Sequence, residues 1–536
     1  MKHPQKIISS KLSPCFDNDI EKQQHATSAN NLLARLRGSK SFTMALLAVV
    51  LVLLYADQSL IAPNLSAVAE EFGLSDEEKD KRLGGEISVA FFGLGAPASL
   101  IAGWLADSVD RRKLFVAVVL LGQVGAMATA FTTTYSQLYW TRAITGIAIG
   151  GVLPVLFSIL GDLVDTGKRT EASGAFGIAV GMGLGLGQVV AGLSGRATSL
   201  GWRFPFLLLS LPCVVLSLVV YVATTDPPRG RCERGLKEHF RAGGDYTERL
   251  NLNTLRLLAS CPTLVLAMTQ GIFGCIPGGV LSVYLNDFLQ KQRGLTIGQA
   301  TTILCVLKTA SMAGEILGSK LGQLAYNRRP ELQPLLMGTA GLCGVVPFVM
   351  LIRYKGDTFA YYLFYTIVGG VLSSITSPNI KTILMNVSLP STRGMAYGIF
   401  NVFDDLGKGL GPALVSMIVA KRGRELAFTL AMLAWIPGGF IKLSLMCTVR
   451  RDEIKVQAHL KSYARTNNGG RGSQSSLSLP MSAAAVENYN LVTDRPTIGI
   501  NSRVAYGASG DEEEKEGLMT DHDDAAHLAS FVESYG

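Results

Sequence analysis

Long uncharged runs alternate with short polar turns over most of this chain. Twelve apolar segments can be marked, near 43–65, 85–106, 113–132, 136–160, 170–194, 203–223, 256–288, 297–324, 333–352, 358–386, 394–420 and 426–447. A helix needs about 20 such residues to cross the hydrocarbon core of a bilayer. The pattern therefore predicts an all-α membrane protein of twelve transmembrane helices. The seventh run contains Gly271, Gly274, Pro277 and Gly278, which predicts a broken or tilted helix. The polar residues 1–41 and 449–536 read as disordered N- and C-terminal tails. A third polar stretch, 225–255, divides the spans six and six, into bundles over 42–224 and 256–448. A short amphipathic helix around Leu236 to Leu250 is expected in this linker, lying on the inner membrane surface.

Composition agrees with this pattern. The chain has 536 residues, of which 48% are hydrophobic and 17% charged, with a mean hydropathy of +0.30. Soluble domains carry about a quarter charged residues. The net charge of +8 belongs to loops. No basic patch interleaved with aromatics suggests nucleic acid, and the eight cysteines show no metal-ligand spacing. No cofactor motif and no catalytic constellation is present, so an enzyme is not expected. No cleavable signal peptide is visible, and the first span is expected to direct insertion. Lys and Arg concentrate on the side of both tails, the 107–113 turn, Lys168-Arg169, the linker and Arg328-Arg329. The positive-inside rule makes that side cytoplasmic. Tyr489-Asn-Leu-Val492 and Glu514-Lys-Glu-Gly-Leu518-Met519 resemble endosomal sorting signals.

The two halves repeat. Arg169-Thr-Glu-Ala-Ser-Gly174-Ala-Phe-Gly177 aligns with Arg393-Gly-Met-Ala-Tyr-Gly398-Ile-Phe-Asn401. Without a gap, Gly183, Gly185 and Gly187 then fall on Gly407, Gly409 and Gly411. Span five thus corresponds to span eleven, and pseudo-symmetry relates the bundles. These Gly-x-Gly-x-Gly runs lie inside spans rather than after a strand, so they are not phosphate loops. They read as hinge and packing seams, with Pro412 adding a bend.

Ionisable groups inside a bilayer are functional candidates by default. Asp57 in span one and Arg142 in span four lie at similar depth. They could pair, bind a headgroup or exchange a proton, or simply hold the two spans together. Lys308 and Glu315 share one face of span eight. Span eleven carries Asp404, Asp405 and Lys408, with Asp404 and Lys408 one turn apart and able to pair. All seven are candidate substrate- or proton-binding residues.

The turn between spans two and three reads Gly103-Trp-Leu-Ala-Asp107-Ser-Val-Asp110-Arg111-Arg112-Lys113. It resembles the Gly-x-Leu-Ala-Asp-x-x-x-Arg-Arg/Lys loop of the major facilitator superfamily. The resemblance implies two six-helix bundles working by alternating access. It also implies that Gly103, Asp107, Arg111 and Arg112 act as a cytoplasmic gate, and that spans five and eleven line the cavity. Within that superfamily, Asp57-Gln-Ser-Leu-Ile-Ala-Pro-Asn-Leu with Glu71-Phe-Gly-Leu-Ser resembles the spinster family of lipid transporters. Arg142-x-x-x-Gly146, Trp202-Arg203 and Asp226-Pro-Pro-Arg-Gly230 add to this. Gln58 stands where that family has Arg, and Ile149 at about the place of a Glu used in proton coupling. Asp57 and Arg142 carry over, but the carboxylate pair does not.

The resulting expectation is a secondary transporter moving a lysophospholipid or sphingoid lipid, either coupled to protons or uncoupled. It would be monomeric, in an endolysosomal or plasma membrane. The alternatives are a carrier of a small organic anion, sugar or drug-like solute, and a non-transporting membrane sensor.

Overall fold

The computed structural model describes residues 39–469, apart from 76–77, 79–81, 84–85 and 195–200. The sorting-like stretches near 489 and 514, and most of the N-terminal tail, lie outside the described residues. Among the described residues there are twelve spans. They are α1 (Lys40–Gln58), α2 (Ile87–Ser108), α3 (Arg111–Thr129), α4 (Tyr135–Leu163), α5 (Arg169–Ser194) and α6 (Phe204–Ala223). The second set is α7 (Pro262–Arg293), α8 (Ile297–Arg328), α9 (Leu332–Arg353), α10 (Phe359–Ser374 with Thr376–Asn386), α11 (Arg393–Arg422) and α12 (Arg424–Leu433 with Trp435–Ser444). Eleven crossings are long and apolar enough to span by composition alone. The twelfth, α11, spends that hydropathy on Asp404, Asp405 and Lys408.

Local chemistry sets the helix ends. Reciprocal capping boxes, Thr134 with Gln137 and Thr296 with Gln299, open α4 and α8. Gly294 ends α7 at φ +68, a conformation that costs glycine nothing. α7 runs unbroken through Pro277, so of the two expected forms, broken or tilted, it is not the broken one. Outward-facing positions remain apolar: Leu193 is 72% exposed and Met417 65%. Side chains of this kind need acyl chains rather than water around them.

Glycine contacts show the repeat in space. A Cβ at Gly183 or Gly187 would collide with the α1 carbonyls of Val52 and Ala56. A Cβ at Gly407 or Gly411 would collide with the α7 carbonyls of Ile272 and Ile276. The α1–α5 and α7–α11 seams are thus equivalent, with backbones touching through small residues. Gly185 and Gly409 differ from the expectation of close packing. No atom lies within 4 Å of a Cβ placed at either.

The hydrophobic core is shared at the linker end of the molecule and divided at the other. One cluster joins Leu51, Phe115 and Phe157 to Ile383, Tyr397 and Phe400 across the two bundles. Towards the far end the clusters separate. Leu60, Trp202 and Phe206 belong to the N-terminal bundle alone, and Phe288, Phe348 and Trp435 to the C-terminal bundle alone.

Two parts of the chain expected to be irregular or membrane-bound are structured differently. The linker helix is short, Lys237–Arg241, and stops before Gly243 at φ +76. It packs on protein rather than membrane: Leu236 and Tyr246 are buried against Val456, Leu460 and Ala464. Those three lie on α13 (Val449–Gly469), so the first part of the predicted disordered tail is a helix. Its buried positions Val449, Val456, Leu460 and Ala464 recur at helical spacing, which gives it one apolar face to dock.

Candidate functional site

Among the described residues, one group of charged side chains is buried at the linker end, a second, partly exposed group lies mid-way along the helices, and a further pair is buried inside the N-terminal bundle.

At the linker end the bundles are sealed together. Gly103 and Gly394 meet backbone to backbone, since a Cβ on either would overlap the other's carbonyl oxygen. This approach brings the Asp107 carboxylate onto the N-terminus of α11. It accepts from Gly394 N and Met395 N, each at 2.8 Å, satisfying helix donors that would otherwise be orphaned. Asp110, the other acid of the turn, caps α3 through Lys113 N.

Arg111 donates to Asp162, Asp226 and the Pro227 carbonyl. Arg112, expected in the gate, instead donates to the Tyr221 and Thr224 carbonyls at the end of α6. There it serves as a C-cap within its own bundle and bridges nothing between bundles.

Asp162 and Glu233 complete the seal. Arg393 of α11 reaches across to Asp162 at 3.0 Å and to Glu233 at 2.7 Å. Arg169, its repeat partner on α5, reaches Glu233 at 2.7 Å and the Asn386 amide oxygen at 2.8 Å. Asn386 is itself the repeat equivalent of Asp162. One linker glutamate therefore receives one bond from each symmetry-related arginine. Burial alone would raise the Glu233 carboxyl, but Arg169 and Arg393 outweigh it and hold the group down at about 2. Arg111, Asp162, Arg169, Glu233 and Arg393 are each at most 1% exposed. At that depth removing one partner leaves an uncompensated charge.

The seal loosens along the helices. Where α5 faces α8, a Cβ at Gly174 would overlap Ser319, at Gly177 it would lie 2.6 Å from Glu315, and at Gly181 3.4 Å from Met312. One further turn along α5, nothing lies within 4 Å of a Cβ at Gly185. The α2–α11 side behaves alike, closed at Gly398 on the Ser99 carbonyl, 2.7 Å from a Cβ there, and open at Gly409.

Just beyond the seal lies the second charged group. Lys408 pairs with Asp405 at 2.9 Å. The i,i+4 partner expected from the sequence, Asp404, turns instead towards Gly271 and Cys275 of α7. Lys381 of α10 donates to Ser377 at 3.2 Å, and Ser377 also bonds Glu315. Its ammonium lies 5.5 Å over the Phe157 ring of the opposite bundle. Lys442 of α12 is 4% exposed and within electrostatic reach of Asp404. Tyr55 of α1 faces Lys408 and Asp405 from the N-terminal bundle. Glu315, Asp404, Asp405 and Lys408 thus come together as expected, and Lys308 stands exposed one helical turn beyond Met312.

Asp57 and Arg142 do not join them. They face each other at 3.9 Å, 0% and 2% exposed, inside the N-terminal bundle. Arg142 lies between the Phe91 and Phe206 rings and reaches the last carbonyls of α1. It neutralises a helix C-terminus there and is shut away from the space between the bundles.

Lys381, Lys442, Asp162, Glu233 and Tyr55 were not singled out from the sequence. The two lysines are single charges within long apolar runs, and depth alone could have flagged them.

A sealed end, a divided core beyond it and charged groups between define a membrane carrier of two pseudo-symmetric bundles. The chain belongs to the Major Facilitator Superfamily, whose family profile matches residues 47–412. It is a multi-pass membrane transporter. It is 24% identical over 359 residues to the inner membrane metabolite transport protein YgcS of Escherichia coli, covering 63% of this chain and 76% of that one. It is 23% identical over 396 residues to protein spinster homolog 3 of Mus musculus, covering 70% and 74%. Among solved structures, the proton:xylose symporter XylE superposes with a TM-score of 0.61 at 15% identity, covering 75% of this chain and 95% of that one.

Proposed function

We propose that this transporter moves a lysophospholipid or sphingoid lipid by alternating access, entering its cargo from the side. The observation carrying this is the space at Gly185 of α5 and Gly409 of α11, where nothing lies within 4 Å of a Cβ, on the same helices that are packed tightly at Gly174 and Gly398. An acyl chain can lie in such a slit while its head reaches Lys308, Lys381 and Lys408. The spinster-like sequence features and the similarity to spinster homolog 3 support the same cargo. In this reading the linker end is the cytoplasmic side; the bundles are sealed there, and their hydrophobic clusters are separate towards the opposite end. The membrane is endolysosomal or plasma membrane, and the working unit is a monomer.

The family's N-terminal proton pair is not available, because Ile149 stands at about the place of its second carboxylate and Asp57 is buried against Arg142. Glu315 and Asp404 are the carboxylates placed to take a proton in its stead. Asp57 and Arg142 act as a strut between α1 and α4.

One observation favours a second reading. Lysines outnumber acids in the mid-way group, Lys308, Lys381, Lys408 and Lys442 against Glu315, Asp404 and Asp405, which also suits a small organic anion. Purified transporter in proteoliposomes distinguishes the two. Uptake of a labelled lysophospholipid, lost in Lys381→Gln and undiminished by excess benzoate, supports the lipid. Uptake of labelled benzoate without lysophospholipid movement overturns it.

A further inference from the structure

The seal contains a contact that neither bundle supplies. The start of the linker is bound to the N-terminal bundle. Asp226 is held by Arg111 at 2.9 Å, Arg229 donates to the Ala106 and Val109 carbonyls, and Gly230 N donates to Asp162. The helix α13 is bound to the C-terminal bundle. Asp452 accepts from both Thr263 N and Thr263 Oγ1 of α7, and Glu453 accepts from the Tyr326 hydroxyl of α8. Between these anchors stands Gln457. Its amide donates to Glu233 at 2.7 Å and accepts from Gly235 N at 2.9 Å, a two-point clip on the linker. Behind it Leu236 and Tyr246 pack on the apolar face of α13, and Tyr463 bonds Thr247.

When the bundles part at this end, Arg169 and Arg393 must separate. Glu233 can then follow only one of them. We infer that Gln457 of α13 is a positioning residue for transport: it fixes Glu233 to the C-terminal bundle, so that the seal breaks at Arg169 while the Glu233–Arg393 pair stays whole. The linker bends between Gly230, at φ +73, and Glu233. The segment from Glu233 onward, α13 and the C-terminal bundle move as one body. Without the clip Glu233 is free to follow either arginine, and the closed state loses its bias. This rests on the alternating-access reading given above.

Two reporter cysteines, each added to the full chain after its eight native cysteines are replaced by serine, test it. Ser173→Cys reports the closed end, since Ser173 is buried there against Thr382. Gly185→Cys reports the open side. In the otherwise native protein, labelled lysophospholipid should raise maleimide labelling of the first and lower that of the second. In Gln457→Ala the same reciprocal change should appear without lipid, several-fold in each direction. A general loosening of the fold would raise both together, and that result overturns the proposal. So does unchanged labelling. Absence of any reciprocal change in the native protein removes the alternating-access reading and the proposal with it. A reciprocal native response beside an unresponsive Gln457→Ala removes the proposal alone.

A second measurement uses Thr247→Cys with Tyr463→Cys, whose side chains touch at the surface. Joining them with a short bismaleimide should leave transport intact, because linker and α13 travel together. Arrest of transport by this cross-link overturns the inference.

Discussion

Glu233 sets the residue-scale behaviour of the seal. Its carboxyl is held at about 2, below the ordinary 4.5, because two guanidiniums outweigh its burial. A depressed folded-state value contributes stability that is fully present above 4.5 and is lost as pH falls towards about 2. The contribution of Glu233 to the seal should therefore stay constant from pH 5 to pH 8. Glu233→Gln imitates the protonated form at every pH. Because the Glu233–Arg393 pair persists on opening, only the Arg169 contact separates the two states, and removing the charge should shift the balance from closed towards open. Labelling of Ser173→Cys at several pH values checks both statements. A change across pH 5 to 8 that is present in the native protein and abolished in Glu233→Gln would contradict them. Asp57 and Arg142 call for another test. Asp57→Asn or Arg142→Gln alone leaves one buried charge unpaired, so each should lower thermal stability in detergent by several kcal/mol. The double variant should recover much of it. Single variants that melt like the native protein would show that the strut carries no load.

The sequence made some of these residues legible and hid others, for physical reasons. Asp57 and Arg142 stood out because a charge in an apolar run is costly, yet depth does not reveal which way a side chain faces. Asp107 was legible from its turn. Glu233 was not, because a glutamate in a polar linker looks solvated until the two arginines converge on it from distant positions.

At the scale of elements, the glycine runs separate repeat from contact. Residues four apart on a helix share a face, and the residue midway between them points away. Gly183 and Gly187 therefore touch α1, Gly407 and Gly411 touch α7, and Gly185 and Gly409 turn to the slit. The repeat was readable from spacing. Which glycine of each three was buried needed the helix phase relative to a neighbour. Gly187→Val and Gly411→Val should each abolish a monodisperse purified protein, since the obstacle is backbone. Gly185→Ala and Gly409→Ala should purify and transport near the native rate. Fluorescence size-exclusion profiles with uptake assays decide this, and tolerance of valine at Gly187 would refute the seam. α13 escaped notice for a related reason: its few apolar positions are spread over many polar ones, and only the docked face gives them meaning.

For the whole molecule, the shared core at the linker end and the divided cores opposite describe one of two states. Sequence could supply the count of spans and their repeat, but not which end is shut, because that depends on contacts between halves. The direct measurement is a pair of distances by electron spin resonance on the full chain in nanodiscs. One pair of labels spans the far end, at Thr133 and Lys291, both exposed. The other spans the linker end, at Val109 and Arg328, also exposed. Alternating access predicts that adding lysophospholipid populates a state in which the first distance shortens and the second lengthens. Two distances that stay fixed during transport, or that change in the same direction, would contradict it.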